Sequence, residues 1–143
     1  MNNYKPNKTN TFFSNKRVAA FYNPLYFTRK ELYKAIAQLA PALHGKVIDL
    51  GCGTKPYEHL FIHANEYIGL DIEQSGNKDT KSCVDVFYDG HTFPFENNSM
   101  DGVFSSETFE HIFNLEEIIK EINRVLKKEG LLLATCPFLW PEH

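Results

Sequence analysis

Two glycines and a series of acidic residues carry the clearest chemical signal in this sequence. Gly51 and Gly53 directly follow the apolar run that contains Asp49. Glycines at such a point let the chain turn sharply and let a ligand approach the backbone closely. Asp71 ends the next apolar run, twenty positions after Gly51, where a carboxylate can accept both hydroxyls of a ribose. The fingerprint Gly-x-Gly-x-x-Gly of nicotinamide enzymes is not met, because its last position is Pro56.

Short apolar runs between glycines and polar segments predict five strands. They cover residues 47–50, 67–70, 83–86, 100–105 and 131–136, and the polar segment 73–81 between the second and third is predicted to be a loop. Each run is continuously apolar rather than alternating, which is typical of strands buried on both faces of a parallel sheet.

Helical spacing of apolar residues predicts three helices between these strands. The first begins at a capping box formed by Thr28 and Glu31 and ends near Pro41 and Gly45, and a short second one covers 56–63. The third is capped by Asn114 with Glu117, and we expect Lys127 and Lys128 at its C-terminal end with Gly130 as its C-cap. The alternation predicts a doubly wound α/β domain whose ligand lies beyond the carboxyl ends of the strands.

The sequence resembles the class I S-adenosylmethionine-dependent methyltransferases, in particular small bacterial members. The similar segments occur in order along residues 26–143: Val47 to Gly53, Tyr67 to Asp71, Cys83 to Val86, Phe93 to Phe95 followed by Ser99 to Phe104, Glu107 to Ile112 and Ile122 to Leu131. The resemblance implies a Rossmann-like, mostly parallel sheet with strand order 3-2-1-4-5. The family continues with C-terminal hairpin strands that are missing here. We therefore expect either a chain truncated after strand five or a homodimer that pairs along the strand-five edge.

The resemblance also implies roles for individual residues. Gly51 and Gly53 would border the methionine part of S-adenosylmethionine, with Asp49 contacting it or orienting it through water. Asp71 would hold the ribose and Asp85 the adenine amino group, and Cys52, Ile72, Val86 and Ser105 would complete the cofactor-binding set. His111 is the candidate general base, with Glu107 and Glu110 beside it. We expect no metal, because His59 and His63 lack the glutamate of a zinc protease and fit an ordinary helix face.

Composition and charge limit the classes of function. The 143 residues fit one domain, predicted over 26–143, preceded by a basic, Asn-rich leader over 1–25. Residues 1–30 hold six basic and no acidic side chains, and the remainder holds nine basic and 18 acidic ones, a net charge of −9. Three scattered cysteines, no secretory pattern and no apolar run long enough to cross a bilayer favour a cytoplasmic protein that does not contact membranes.

The expected function is transfer of a methyl group from S-adenosylmethionine to an oxygen, nitrogen or carbon of a small-molecule acceptor, leaving S-adenosylhomocysteine. Two alternatives stay open. The chain could be a catalytically silent S-adenosylmethionine-binding domain, or the basic leader could guide a nucleic-acid acceptor to the site. The second is the weaker, because no folded basic face accompanies the leader.

Overall fold

The computed structural model describes residues 24–72 and 83–137, with side chains described from Phe27 onward. Two α-helices and five strands make up its main elements. Helices α1 and α2 span Pro24–Leu39 and Leu115–Val125, and strands β1 to β5 span Gly45–Leu50, Ala64–Ile72, Val86–Tyr88, Met100–Ser106 and Leu126–Thr135. Short 3-10 turns lie at Ala40–Ala42, Glu58–Leu60 and Phe109–His111.

The five strands form one sheet in the order β3-β2-β1-β4-β5, and every strand pair in it is parallel. The predicted α/β fold class and strand order are therefore confirmed. The central strand β1 pairs with β2 through Asp49 and Gly69, and with β4 through Asp49 and Phe104. The chain passes from β1 to β2 on one side of β1 and returns from β3 to β4 on the other side, so a crevice forms at the carboxyl ends of β1 and β4.

The sheet is stabilised by an apolar core. Ile48 and Leu50 of β1 are buried, and helix α2 buries Ile118, Ile122 and Val125 in the same cluster. These three helix residues follow one another at spacings of four and three, so they share one face of α2. Asn114 is the N-cap residue of α2 as expected. The apolar stripe that predicted this helix is buried only in part: Ile118, Ile122 and Val125 are buried, whereas Leu115 and Ile119, which belong to the same predicted stripe, are exposed.

The chain divides between Ala37 and Gln38 into two compact units. In the first unit the described residues form most of α1, which begins at Pro24 and not at the predicted Thr28 capping box. Proline suits the first helical turn because its missing N–H has no intrahelical partner there. The Glu31 carboxylate accepts a hydrogen bond from Lys34 Nζ over 2.6 Å instead of capping the helix. Nearly all of the predicted leader, 1–25, lies outside the described residues.

The predicted end of α2 is wrong. The helix stops at Val125, and Leu126 already has the extended backbone of β5, so Gly130 is not a C-cap. Residues 127–130 instead form an irregularity in β5, because Met100 pairs with Leu126 and Gly102 with Leu131. Lys127 Nζ is drawn away from the helix end by Asp101, whose Oδ1 it contacts at 2.7 Å.

Two further boundaries differ from the prediction. The expected helix over 56–63 contains only the 3-10 turn Glu58–Leu60, where backbone bonds span three residues, as from Phe61 N to Glu58 O at 3.1 Å. Strand β3 begins at Val86, where the predicted strand ended. The predicted loop 73–81 lies outside the described residues.

Strand β5 is the last strand of the sheet order, and Leu131 and Leu132 on it are both more than two-fifths exposed. In the described part of the chain, no helix has the length and apolar character that crossing a membrane requires.

Candidate functional site

A cavity of about 500 Å³ lies where the carboxyl ends of β1, β2, β3 and β4 meet, within the size range of small-molecule sites. Each of these strands contributes to its wall. The lining residues are Gly51, Asp71, Ile72, Tyr88, Gly90, Glu107, Thr108, His111, Ile112, Phe113 and Asn114. Parallel strands bring together side chains that are far apart in sequence, and a ligand in this cavity would contact all four strand ends.

The turn after β1 requires glycine at position 51 for two reasons. The φ angle of Gly51 is +72°, in the left-handed region, and its N–H donates to Leu70 O over 2.8 Å. A Cβ on Gly51 would also lie 2.4 Å from Thr108 Oγ1. Gly53 has a φ of +52°, but a Cβ there would meet no atom within 4 Å. Gly51 therefore sets the shape of this cavity wall.

Two hydroxyl groups from the β4 side fix the start of that turn. Ser105, which is buried, donates from Oγ to the Leu50 carbonyl over 3.1 Å, and Thr108 Oγ1 reaches the same oxygen at 3.4 Å. Ser105 does not line the cavity. It acts on the turn through the Leu50 carbonyl, next to the glycine whose backbone faces the cavity.

The charged side chains that line the cavity, among the described residues, are the acids Asp71 and Glu107. Asp71 Oδ1 accepts the N–H of Ile72 over 2.8 Å, which orients the carboxylate at the end of β2. Glu107 has a φ of +53° and accepts a hydrogen bond from Thr135 Oγ1 at 3.1 Å. Two carboxylates in one cavity favour a ligand that carries hydroxyl groups or positive charge.

Asp49 lies two residues before the Gly51 turn and is only 3% exposed. Its Oδ2 accepts a hydrogen bond from the Tyr67 hydroxyl over 2.8 Å. Burial raises the pKa of Asp49 to about 7, although the bond from Tyr67 and the charge of Lys55 work in the opposite direction. The Tyr67 ring packs on Phe61, which in turn packs on Phe104. The carboxyl group is therefore held in a fixed orientation in a largely apolar environment.

Asp85 lies directly before β3 and binds the backbone of the neighbouring strand β2 at Gly69. Its backbone N–H donates to Gly69 O over 3.0 Å, and its Oδ2 accepts the Gly69 N–H at 2.7 Å. The Lys55 ammonium contacts the same carboxylate. Partial burial disfavours the charged form, but the bonds from Lys55 and Gly69 outweigh it, so the pKa of Asp85 lies below its ordinary value.

The acidic residue directly after β3 is Asp89, which the sequence reasoning did not select. Its Oδ1 accepts the backbone N–H groups of His91 at 2.8 Å and Thr92 at 2.7 Å, and its neighbours Tyr88 and Gly90 line the cavity. The signal that could have found it is its position at the carboxyl end of a strand, which depends on where β3 begins.

His111 lines the cavity, and its side chain is 65% exposed. Its Nε2 lies 3.9 Å from Glu110 Oε1. Cys52, in contrast, is buried, and burial raises the pKa of its thiol to about 12. Cys52 is therefore a neutral packing residue at ordinary pH and does not suit a nucleophile. Within residues 24–72 and 83–137, no group of three or more potential metal ligands comes together.

The structure thus brings four of the candidate residues together around one cavity: Gly51, Asp71, Ile72 and His111. The other candidates lie outside its lining: Asp49, Cys52, Gly53, Asp85, Val86 and Ser105. Val86 packs against the apolar core.

This arrangement of strand order, glycine turn and acidic strand ends agrees with a comparison against protein families. Residues 48–134, more than half of the chain, match the methyltransferase domain model. The chain belongs to the methyltransferase domain family. The matched range includes β2, β3, β4 and α2 completely and begins within β1, so it contains every residue that lines the cavity.

Two relatives illustrate the membership. An uncharacterised protein of Methanocaldococcus jannaschii is 36% identical over 92 residues, which is 62% of this chain and 36% of that protein. A demethylmenaquinone methyltransferase of Staphylococcus haemolyticus is 25% identical over 148 aligned residues, covering 93% of this chain and 62% of the relative. This methyltransferase domain therefore spans between about one-third and three-fifths of the length of these relatives.

Among solved structures, the YcgJ protein of Bacillus subtilis superimposes with a TM-score of 0.61 at 22% identity, covering 73% of this chain and 50% of that one. The similarity supports the fold. The family model and the name of the Staphylococcus haemolyticus relative are both those of methyltransferases.

Proposed function

We propose that this methyltransferase domain binds S-adenosylmethionine in the cavity and transfers the methyl group to a small-molecule acceptor, with S-adenosylhomocysteine as the second product. The observation that carries the proposal is the meeting of the Gly51 turn and the Asp71 carboxylate in one cavity at the strand ends. Glycine admits close approach to the backbone, and a carboxylate at the next strand end suits a ribose.

The residues present fit this cofactor. The cavity volume is adequate for a nucleoside-sized ligand, its wall at Gly51 has no side chain, and its charged lining is acidic. A positively charged sulfonium group is favoured by Asp71 and Glu107, and by Asp49 in its ionised form. When bound, S-adenosylmethionine supplies an activated methyl group on a good leaving group, so the protein needs mainly to align the acceptor and exclude water.

In this proposal the cofactor-binding residues have different tasks. Asp71 accepts the ribose hydroxyls, and Ile72 packs beside it. Gly51, Cys52 and Gly53 form the turn next to the methionine part, while Asp49 and Ser105 act from behind that turn. These roles are supported by the positions of the residues near the ends of β1 and β2 and, for Ser105, near the end of β4.

The adenine side of the proposed site is the end of β3. Asp85 and Val86 were expected there, but Asp85 is engaged by Lys55 and Gly69. Asp89 lies between two residues that line the cavity, Tyr88 and Gly90. We therefore assign the polar contact to the adenine amino group to the Asp89–Gly90 segment, and give Asp85 the task of holding β2 and β3 together.

His111 is the proposed general base. Its imidazole lines the cavity and is accessible, so it can take the proton that an oxygen or nitrogen acceptor loses as it is methylated. An acceptor that is already a good nucleophile would not need this step.

Calorimetric titration of S-adenosylmethionine and S-adenosylhomocysteine into the purified chain tests the proposal. Asp71→Asn should weaken both ligands about tenfold or more, because it removes a charge-assisted hydrogen bond worth roughly 1.5 to 3 kcal/mol. Glu66→Gln is the matched control, since Glu66 lies on the same strand near its other end and pairs with Lys46 at the surface. No binding to the folded chain, or equal losses in the two variants, would contradict the proposed site.

A further inference from the structure

One polar face of α2 holds the segment that connects β3 to β4. Its residues follow each other at spacings of three, four and three, so they form a single stripe along the helix. We call this set the α2 stripe: Asn114, Glu117, Glu121 and Arg124. All four make hydrogen bonds to residues 90–97.

At the far end of the segment from the cavity, Arg124 and Glu121 bind the backbone directly. The Arg124 guanidinium donates to Phe93 O at 2.9 Å and to Phe95 O at 2.8 Å, and Glu121 Oε2 accepts the Phe93 N–H at 2.8 Å. Arg124 and Glu121 also pair with each other at 2.6 Å. The backbone around Phe93 is therefore fixed to α2 by three charge-assisted hydrogen bonds.

At the end of the segment that is next to the cavity, Asn114 binds the backbone of Gly90. The Asn114 amide donates from Nδ2 to Gly90 O over 2.9 Å and contacts Glu117 Oε2 at 3.0 Å. Glu117 Oε2 also lies 2.9 Å from His91 Nδ1. Asn114 and Gly90 both line the cavity. The Asn114 side chain makes no capping hydrogen bond to the backbone N–H groups of the first turn of α2. The amide therefore serves the cavity wall and not the helix cap.

We propose that Asn114 is a positioning residue for cofactor binding: through its bond to Gly90 O it fixes the Asp89–Gly90 wall of the cavity. The inference rests on the proposed function and adds to it a residue outside the expected cofactor-binding set. A wall that is held at one point of its backbone loses its preorganised position when that bond is removed, and ligand affinity falls accordingly.

Asn114→Asp keeps the shape of the side chain but cannot donate to Gly90 O, and it also places a second carboxylate next to Glu117 Oε2. Asn123→Asp is the matched control, since Asn123 lies on the same helix and is exposed. Asn114→Ser, which keeps a capping hydroxyl but is shorter, separates loss of the bond from the effect of an added charge.

We expect both Asn114 variants to bind S-adenosylmethionine and S-adenosylhomocysteine about fivefold more weakly, with equal losses for the two ligands, because the Gly90 wall lies on the adenine side. The melting temperature of Asn114→Ser should stay close to that of the unchanged chain, whereas repulsion from Glu117 should lower that of Asn114→Asp. Hydrogen exchange should become faster in peptides that contain Asp89 to Thr92, and Asn123→Asp should alter neither affinity nor exchange there.

If the unchanged chain binds the ligands and both Asn114 variants bind them with the same affinity, this inference is overturned and the proposed function stays intact. Absence of binding to the wild-type chain would contradict the proposed function, and this inference with it. Losses that appear only together with a large fall in melting temperature would show that Asn114 supports the fold, and would also overturn the inference.

Discussion

The Tyr67 hydroxyl donates a hydrogen bond to the buried carboxyl group of Asp49 over 2.8 Å, two residues before the glycine turn that shapes the cavity. The two residues lie on neighbouring parallel strands, and Asp49 pairs with Gly69 rather than with Tyr67 itself. The bond is therefore made diagonally across the β1–β2 ladder. It fixes the orientation of the one acidic side chain that β1 buries beside the site.

Burial of Asp49 predicts a pH-dependent stability. Because the folded-state pKa is about 7 and the ordinary value is 3.8, the folded chain holds the proton more tightly than the unfolded chain. The contribution of this group is fully present below pH ~4, falls as pH rises toward 7, and amounts to about 4 kcal/mol in all. Asp49→Asn should remove this dependence. Denaturant unfolding at pH 5, 6, 7 and 8 measures it, and parallel curves for both chains would contradict the prediction.

The two glycines of the turn should respond differently to alanine. Gly51→Ala adds a Cβ 2.4 Å from Thr108 Oγ1 at a left-handed φ, so the turn must shift. We expect a loss of roughly 2 kcal/mol or more in stability and at least tenfold weaker cofactor binding. Gly53→Ala meets no atom within 4 Å and should cost only about 1 kcal/mol of backbone strain. Thermal melting and calorimetric titration of both variants provide the comparison; similar effects would argue against a steric role of Thr108.

Substitution of Asp85 should mainly lower stability, whereas substitution of Asp89 should mainly weaken cofactor binding. Asp85→Asn weakens the contacts with Lys55 and the Gly69 N–H, so it should lower the melting temperature by several degrees. Asp89→Asn keeps an oxygen that can accept the His91 and Thr92 N–H groups, so it should have little effect on melting. It replaces the other carboxylate oxygen, which in our proposal accepts the adenine amino group, with an NH₂ donor, so cofactor affinity should fall several-fold. The opposite assignment of effects would place the adenine contact at Asp85.

His111→Asn tests the proposed base. With a hydroxyl or amine acceptor we expect turnover to fall by about 100-fold or more, with affinity for S-adenosylmethionine changed less than twofold. His63→Asn is a suitable control, because His63 is exposed at the opposite end of β2, where its backbone oxygen accepts the Gly45 N–H. Equal turnover in His111→Asn and the unchanged chain would exclude His111 as the base for that acceptor.

Much of the cavity could be predicted from the sequence because its strongest signals are local. Gly51 and Asp71 were identified from residue type and their places after two apolar runs, and both line the cavity. Helix α2 was identified from the helical spacing of six apolar residues: Leu115, Ile118, Ile119, Ile122, Val125 and Leu126. Three of them are buried in the core. Glycine turns and helical periodicity depend on neighbouring residues, so one sequence is enough to detect them.

The tertiary structure alone decided the features that depend on contacts between distant residues. Strand β3 covers Val86–Tyr88 and not the predicted 83–86, so Asp85 precedes the strand and the acid directly after its carboxyl end is Asp89. Lys127 contacts Asp101 instead of the predicted end of the helix. The requirement for glycine at position 51 comes in part from Thr108, which lies 57 positions later in the sequence and occupies the space of a Cβ. Sequence by itself determined which residue types stand at strand ends, because turn and burial preferences act locally. Which of them share the cavity was decided by strand register, which is set by packing across the whole sheet.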